Sequence, residues 1–223
     1  MKNSIEKNNE IVIIDLKLGN LFSVKHACIH VGLQPVATSD KWVLKNAKAI
    51  ILPGVGAFGT AMCNLKKFDL IGPLTAHVQK GKWLLGICLG MQLLFSESEE
   101  FGGHQGLNLI KGTIKKFPSN YEGKKIKVPN IGWNTIYNKD KAKWGLSPLS
   151  VIAQNEFMYF IHSFYAKPKK KEESLTFTNY EGIEYCSSIL KNNIFATQFH
   201  PEKSGIEGIK IYQQFKELIN VRK

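Results

Sequence analysis

Three apolar runs in the first hundred residues, each followed by a tight turn or a glycine-bearing loop, leave this chain few folds to choose from. Ile11–Asp15 is a short apolar run ending on a polar residue, with Gly19-Asn20 just beyond. Leu21, Val24, Cys28 and Val31 then recur on one helical face until Gly32 stops the pattern. Ala49–Leu52 is the second run, closed by Pro53-Gly54, and Trp83–Ile87 is the third. An amphipathic stretch from Leu70 to Lys80 precedes the third run, and Leu89–Phe95 begins another helix after it. Strands that are apolar on consecutive residues bury both faces. The alternation predicts βαβ units: an α/β protein with a central, mostly parallel sheet and helices on both faces. Functional groups then gather in the loops at the carboxyl ends of the strands.

The second half reads differently. Thr113–Phe117, Trp133–Tyr137, Met158–Ile161, Leu175–Thr178, Tyr185–Leu190 and Phe195–Phe199 are short and β-rich, parted by turns such as Pro118-Ser119-Asn120 and Asn192-Asn193. We expect them as antiparallel strands extending or flanking the sheet. A last helix is predicted from about Gly205 to Ile219, with Ile209, Tyr212, Phe215 and Ile219 inward. The 223 residues suit a single domain over 11–223, preceded by a short polar leader over 1–10 expected to be disordered. No stretch approaches the roughly 18 apolar residues of a membrane span, and the leader lacks the apolar centre of an export signal. The expected compartment is the cytoplasm.

The formal charge of +12 first suggests nucleic acid, but its makeup argues otherwise. Of 30 basic residues only Arg222 is arginine. Guanine and phosphate are usually read by forked guanidinium groups, so a lysine-rich solvated surface explains the charge more simply. The four cysteines, Cys28, Cys63, Cys88 and Cys186, form no C-x-x-C pair and read as free thiols, three of them packing residues. His26 and His30 lie four apart on a predicted helix without an evident third metal ligand.

The exception among the cysteines is Cys88, within Gly86-Ile87-Cys88-Leu89-Gly90 where a buried strand turns into a helix. A nucleophile flanked by glycines at such a junction is the nucleophile elbow. The helix N-terminus offers unpaired N–H groups that favour a thiolate and an oxyanion. A thiol needs a base, and Phe199-His200-Pro201-Glu202 supplies one. In an extended segment residues i and i+2 face the same way, and Pro201 biases His200 toward extended geometry. Glu202 can then hold one imidazole nitrogen while the other faces the thiol. Pro53-Gly54-Val55-Gly56 lets a ligand approach the backbone, and one of its N–H groups can complete an oxyanion hole with that of Leu89.

Pro53–Gly59 (PGVGAFG), Gly86–Leu93 (GICLGMQL) and Gln198–Ser204 (QFHPEKS) resemble the class I, or triad, glutamine amidotransferases. Gly132-Trp133-Asn134, Tyr159–Ser163 and Glu202–Gly205 are similar, more narrowly, to glutaminase subunits of imidazole glycerol phosphate synthases, in histidine biosynthesis. The likeness runs from Ile11 nearly to the end. It implies a flavodoxin-like fold, Cys88 as nucleophile, His200 and Glu202 completing the triad, and a glutamine pocket using Gly56, Gln92, Glu100, His162 and Ser163. Glu100 would meet the α-ammonium of glutamine. No metal or organic cofactor is implied. The implied partner is a (βα)8-barrel synthase subunit that receives the ammonia in a heterodimer, with Asn20, Trp133 and Lys203 at or near its interface.

Two positions depart from the family pattern. Lys17 stands where a glycine is usual, and Asn130 where a histidine is usual. Both segments are expected to face the synthase. Similar glutaminases also serve barrel proteins that amidate a nucleotide sugar in surface-polysaccharide synthesis, so the acceptor stays open at this point. Trp133 is either a core aromatic or an interface anchor. Lys203 is either solvated or paired with the synthase. A stand-alone cysteine hydrolase and an inactive scaffold are the remaining alternatives.

Overall fold

The computed structural model of the protein describes residues 11–18 and 21–221. The leader expected over 1–10, Asn20 of the interface set, and Arg222 lie outside the described residues. The first half runs β1 (Ile11–Ile14), α1 (Phe22–His30), β2 (Pro35–Thr38), α2 (Lys41–Asn46), β3 (Ala49–Gly54), α3 (Phe58–Lys67), α4 (Ile71–Gln79), β4 (Trp83–Cys88) and α5 (Leu89–Leu93). Then come β5 (Phe95–Ser98), β6 (His104–Gln105), β7 (Ile110–Lys116), the small hairpin β8 (Asn120–Tyr121) and β9 (Lys124–Lys125), β10 (Asn130–Ile136) and α6 (Lys141–Gly145). The chain closes with β11 (Glu156–His162), β12 (Phe164–Pro168), β13 (Ser174–Tyr180), β14 (Ile183–Lys191), β15 (Ile194–Thr197) and α7 (Gly205–Val221).

The main sheet has the order β2-β1-β3-β4-β15-β14-β12-β7-β5-β6, with β13 also paired to β14. From β2 to β15 every pairing is parallel. This 2-1-3-4-5 order is that of a flavodoxin-like sheet, with β15 as the fifth strand. Alternate residues serve opposite faces. Ile11, Ile13, Ile51, Leu85 and Ile87 pack with Cys28 of α1 and Phe215 of α7. Val12, Ile14, Ile50, Leu52 and Leu84 pack with Phe58 and Leu65 of α3 and Leu74 of α4. Each fully buried side chain of this kind contributes about 1.5–3 kcal/mol, so two covered faces explain why β1, β3 and β4 are apolar at every position.

Four expectations need correction. Phe195–Phe199 was expected among antiparallel strands; β15 is antiparallel to β14 on one side but parallel to β4 on the other, Ile194 opposite Leu84 and Thr197 opposite Ile87. The β14–β15 turn at Asn192, with φ 53, makes the antiparallel hairpin, and a four-residue apolar run does not encode that its other edge joins the parallel strands. The helix expected over Leu89–Phe95 ends at Leu93, and Phe95 opens β5. In α7 the buried face includes Ile211, while Ile209 is only partly covered. Finally, β2, α2, α3, β5, β6, β8, β9, α6 and β12 have no counterpart in the sequence reading. All of these but α3 are short or weakly patterned. The ten-residue α3 carries a clear apolar face of Phe58, Ala61, Met62 and Leu65 that the reading passed over.

Candidate active site

β4 delivers Cys88 at the sheet's carboxyl edge with φ 53 and ψ −109, a conformation that L-residues rarely hold. Such strain costs about 1–3 kcal/mol and persists only where packing enforces it. Here the packing is explicit. A Cβ on Gly90 would fall 1.7 Å from the Leu52 carbonyl oxygen, because α5 crosses directly over β3. A Cβ on Gly86 would meet the Met91 backbone at 3.1 Å and Ala196 Cβ at 3.2 Å. The side chain of Cys88 does not cap α5; its thiol points instead toward β11, donating to the Ile161 carbonyl at 3.8 Å.

β15 runs beside β4 and brings the following loop to the sulfur. Gln198 Nε2 donates to Cys88 Sγ at 3.6 Å. Two residues on, His200 is extended (φ −100, ψ 95) and its N–H donates to the Tyr159 carbonyl at 2.9 Å. The shared extended face expected for His200 and Glu202 is not how they meet. Pro201–Lys203 is a 3-10 turn, and proline fits its first position because that N–H needs no partner. The turn folds Glu202 back, so that Oε1 accepts from His200 Nδ1 at 2.6 Å. Both side chains are only 4% exposed. With the proton fixed on Nδ1, Nε2 is the nitrogen left for Cys88, and it has no other partner among the described residues. Burial opposes the imidazolium, but the pull of the Cys88 and Glu202 charges overrides it and lifts His200 to about 10. A thiol facing a buried imidazole that is oriented by a carboxylate is an arrangement suited to nucleophilic chemistry on a carbonyl.

A cavity of about 310 Å3 opens beside the sulfur. Val55, Gly56, Leu89, Gln92, Glu100, His162 and Ser163 line it with Cys88. Gly54 does not; it lies opposite Cys88 in the β3–β4 register, and a Cβ there would press on Leu89. Gln92 donates its amide hydrogens to the Phe164 carbonyl at 2.9 Å and Gln198 Oε1 at 3.0 Å, leaving its own carbonyl oxygen for a ligand. One oxygen of Glu100 accepts from the Phe58 N–H at the start of α3, which fixes this carboxylate at the cavity wall. The imidazole of His162 is already engaged. Nδ1 donates to the Phe164 carbonyl at 2.8 Å, and Nε2 accepts from Asn130 at 3.3 Å and Tyr185 at 3.2 Å. Burial, with the nearby His200 charge, holds it neutral with a pKa of about 4. His162 therefore offers backbone and shape rather than a free ring nitrogen.

The sequence reading passed over Gln198 as a site residue. It is fully buried, and Gln92 orients its amide toward the sulfur. The signal was a glutamine two residues ahead of the candidate base. Asn130 was expected on the partner side but is itself fully buried, joining His162, Tyr185 and Asn134. Lys17 adopts φ 58, the left-handed conformation that glycine holds most easily, and its ammonium folds onto Asp15 at 2.6 Å. Trp133 is half-exposed and meets Tyr159 edge-on, with ring centroids 5.9 Å apart. Lys203 Nζ sits 5.9 Å from the centre of the same Tyr159 ring.

The glutamine amidotransferase class-I family model matches residues 12–217. The HisH subunit of imidazole glycerol phosphate synthase from Geobacter metallireducens is 44% identical over 207 residues, covering 92% of this chain and 96% of that protein. The HisH subunit of Chlorobium chlorochromatii is 43% identical, covering 93% and 100%, and that of Aquifex aeolicus 42%, covering 92% and 95%. Among solved structures, a glutamine amidotransferase overlays with a TM-score of 0.70 at 18% identity, covering 95% of this chain and 99% of that one. A PurLQS structure from Thermotoga maritima overlays at 0.71 and 19%, covering 94% and 98%. At such identities the overlays speak for the fold alone. The chain belongs to the class-I glutamine amidotransferase family and, within it, stands among the HisH subunits of imidazole glycerol phosphate synthase.

Proposed function

We propose that Cys88, His200 and Glu202 hydrolyse glutamine in this glutaminase, and that the ammonia passes to a (βα)8-barrel synthase subunit. Glutamine enters the cavity with its carboxamide toward Cys88 and its α-ammonium toward Glu100. The Cys88 thiolate attacks the amide carbon, and N–H groups of Val55 and Leu89 receive the charge on oxygen. His200, charged at neutral pH, gives its proton to the amide nitrogen as the C–N bond breaks. Ammonia leaves and a glutamyl thioester remains. Water then adds to the thioester, losing a proton to His200. Glutamate departs and the thiolate–imidazolium pair is restored. Glu202 keeps the proton on Nδ1 throughout. The donor from Gln198 steadies the sulfur's charge whenever it is free.

The observation that carries this reading is the buried His200–Glu202 contact of 2.6 Å, with Nε2 unpartnered behind a strained Cys88. A barrel partner is supported by an apolar surface close to the triad. β10 and β11 form a two-stranded sheet whose inner face is buried, while Ile131, Trp133, Phe157 and Ile161 stand exposed on the other. The relatives' histidine-pathway names favour imidazole glycerol phosphate formation over a nucleotide-sugar acceptor. The reading includes one amidotransferase domain over 11–223 and action in the cytoplasm.

Replacing Cys88 with Ala tests the assignment in the assembled synthase. Glutamine-dependent product formation should fall at least about 1,000-fold, the scale of losing a catalytic nucleophile. Ammonia-dependent formation should persist. Loss of both rates would remove Cys88 from the role given to it here.

A further inference from the structure

Glu202 has two carboxylate oxygens, and the triad accounts for one. Oε2 is buried and has no hydrogen-bond partner among the described residues. A carboxylate oxygen in that position carries a substantial penalty unless a donor reaches it. One donor in the same interior is in the complementary state. Tyr212 is fully buried, and its hydroxyl also lacks a partner.

The helix geometry aims one toward the other. α7 starts directly after the Pro201–Lys203 turn and packs hard against it. A Cβ on Gly208 would lie 1.9 Å from the Pro201 carbonyl oxygen. Tyr212 is four residues on from Gly208, on the same helix face. Side chains on a helix lean toward its N-terminus, so Tyr212 leans back toward the turn that carries Glu202. The ionisable groups that feel Glu202 from the surrounding elements are His200 on its own turn, Cys28 on α1 and Tyr212 on α7. His26 and His30 of α1 line an outer pocket that also touches Glu202. Burial, then the Glu202 charge, raises the Tyr212 phenol well above its ordinary range and the Cys28 thiol to about 12. The phenol therefore keeps its proton and is available as a donor.

We infer that Tyr212 is a positioning residue of the triad, its hydroxyl donating to Glu202 Oε2 in the working enzyme. Rotation of the phenol or of the carboxylate would join the two unpartnered groups. Glu202 is then held at both oxygens, and the His200 ring cannot swing away from Cys88. This rests on the triad reading above, and the test separates the two.

The readout is covalent labelling of Cys88 in the full-length chain by a glutamine-analogue diazoketone, followed by the mass of the Cys88 peptide. Tyr212→Phe keeps the ring and removes the donor. It should slow labelling about fivefold, the scale of one hydrogen bond's typical net contribution. In a Glu202→Gln background, followed over longer times, Tyr212→Phe should add nothing. Unchanged labelling, or a full fivefold loss on top of Glu202→Gln, would overturn the proposal. So would a loss caused by Cys28→Ala and not by Tyr212→Phe, which would make the thiol the donor. A crystal structure of the wild-type chain supplies a check that no variant can spoil: Tyr212 Oη must lie within hydrogen-bond reach of Glu202 Oε2. Absence of labelling in the wild-type chain would instead sink the triad reading itself.

Discussion

His200 is the residue whose charge state most tightly links the fold to the chemistry. Its imidazole is lifted to about 10 despite burial, chiefly by Cys88 and then by Glu202. A histidine whose folded pKa lies above its unfolded value of about 6.5 stabilises the fold fully below that value. The contribution is lost as pH rises through the folded pKa. The wild-type melting temperature should therefore fall between about pH 6.5 and 10. The fall should be smaller in His200→Asn, which cannot titrate. It should also be smaller in Cys88→Ala, because Cys88 supplies the largest attraction. Thermal melts at stepped pH check this; parallel curves for the three proteins would mean that no charged pair is stored in the site.

Among the elements, the Pro201–Lys203 turn that carries Glu202 depends on β11 as much as on β15. Ser204 Oγ accepts from the Tyr159 N–H at 3.0 Å and donates to the His200 carbonyl at 2.7 Å, while the His200 N–H reaches the Tyr159 carbonyl. One buried hydroxyl thus clasps turn to strand. Ser204→Ala leaves the part-buried Tyr159 N–H without its partner and the His200 carbonyl with the Lys203 N–H alone, and should cost about 1–2 kcal/mol by denaturant melts. Labelling of Cys88 should slow as well, since the base loses its anchor; a stable protein with unchanged labelling would show the clasp to be idle. Ser204 was quoted in the sequence motif, yet nothing in the letters reveals this role, because its partner Tyr159 lies 45 residues away. Legibility follows the same line elsewhere. The elbow at Cys88 was readable because its glycines, strand and helix are contiguous. His200 and Glu202 were readable as a pair, but the local geometry assumed for them was wrong, since the proline starts a turn. The engaged state of His162 was not readable. It depends on Asn130 and Tyr185, brought together only by the β10–β11 pairing and the long sheet.

At the scale of the whole molecule, the sheet separates stability from recognition. The core flanks the main sheet on both faces, and β10 and β11, a ladder apart from that sheet, close one side of it with Ile136, Met158 and Phe160 at the mouth of the site. On that ladder the alternation is strict. Met158, Phe160 and His162 face inward and are buried. Ile131, Trp133, Phe157 and Ile161 are 54%, 52%, 54% and 38% exposed on the outer side. Ile131 lies directly opposite Ile161, and Trp133 opposite Tyr159, so the outer residues form one patch rather than scattered points. A contiguous apolar patch marks an interaction surface. Tryptophan at its centre is the residue type most often found to carry binding energy. Trp133→Ala should therefore change folding stability by less than about 1 kcal/mol, as expected of a half-exposed side chain. It should weaken binding to the co-purified synthase partner subunit at least about tenfold by titration calorimetry. Diazoketone labelling of Cys88 in the isolated chain should stay near the wild-type rate, because Trp133 does not line the cavity. Unchanged affinity would move the partner to another face, and the β10–β11 surface would need a different explanation from the one its neighbourhood to Cys88 suggests.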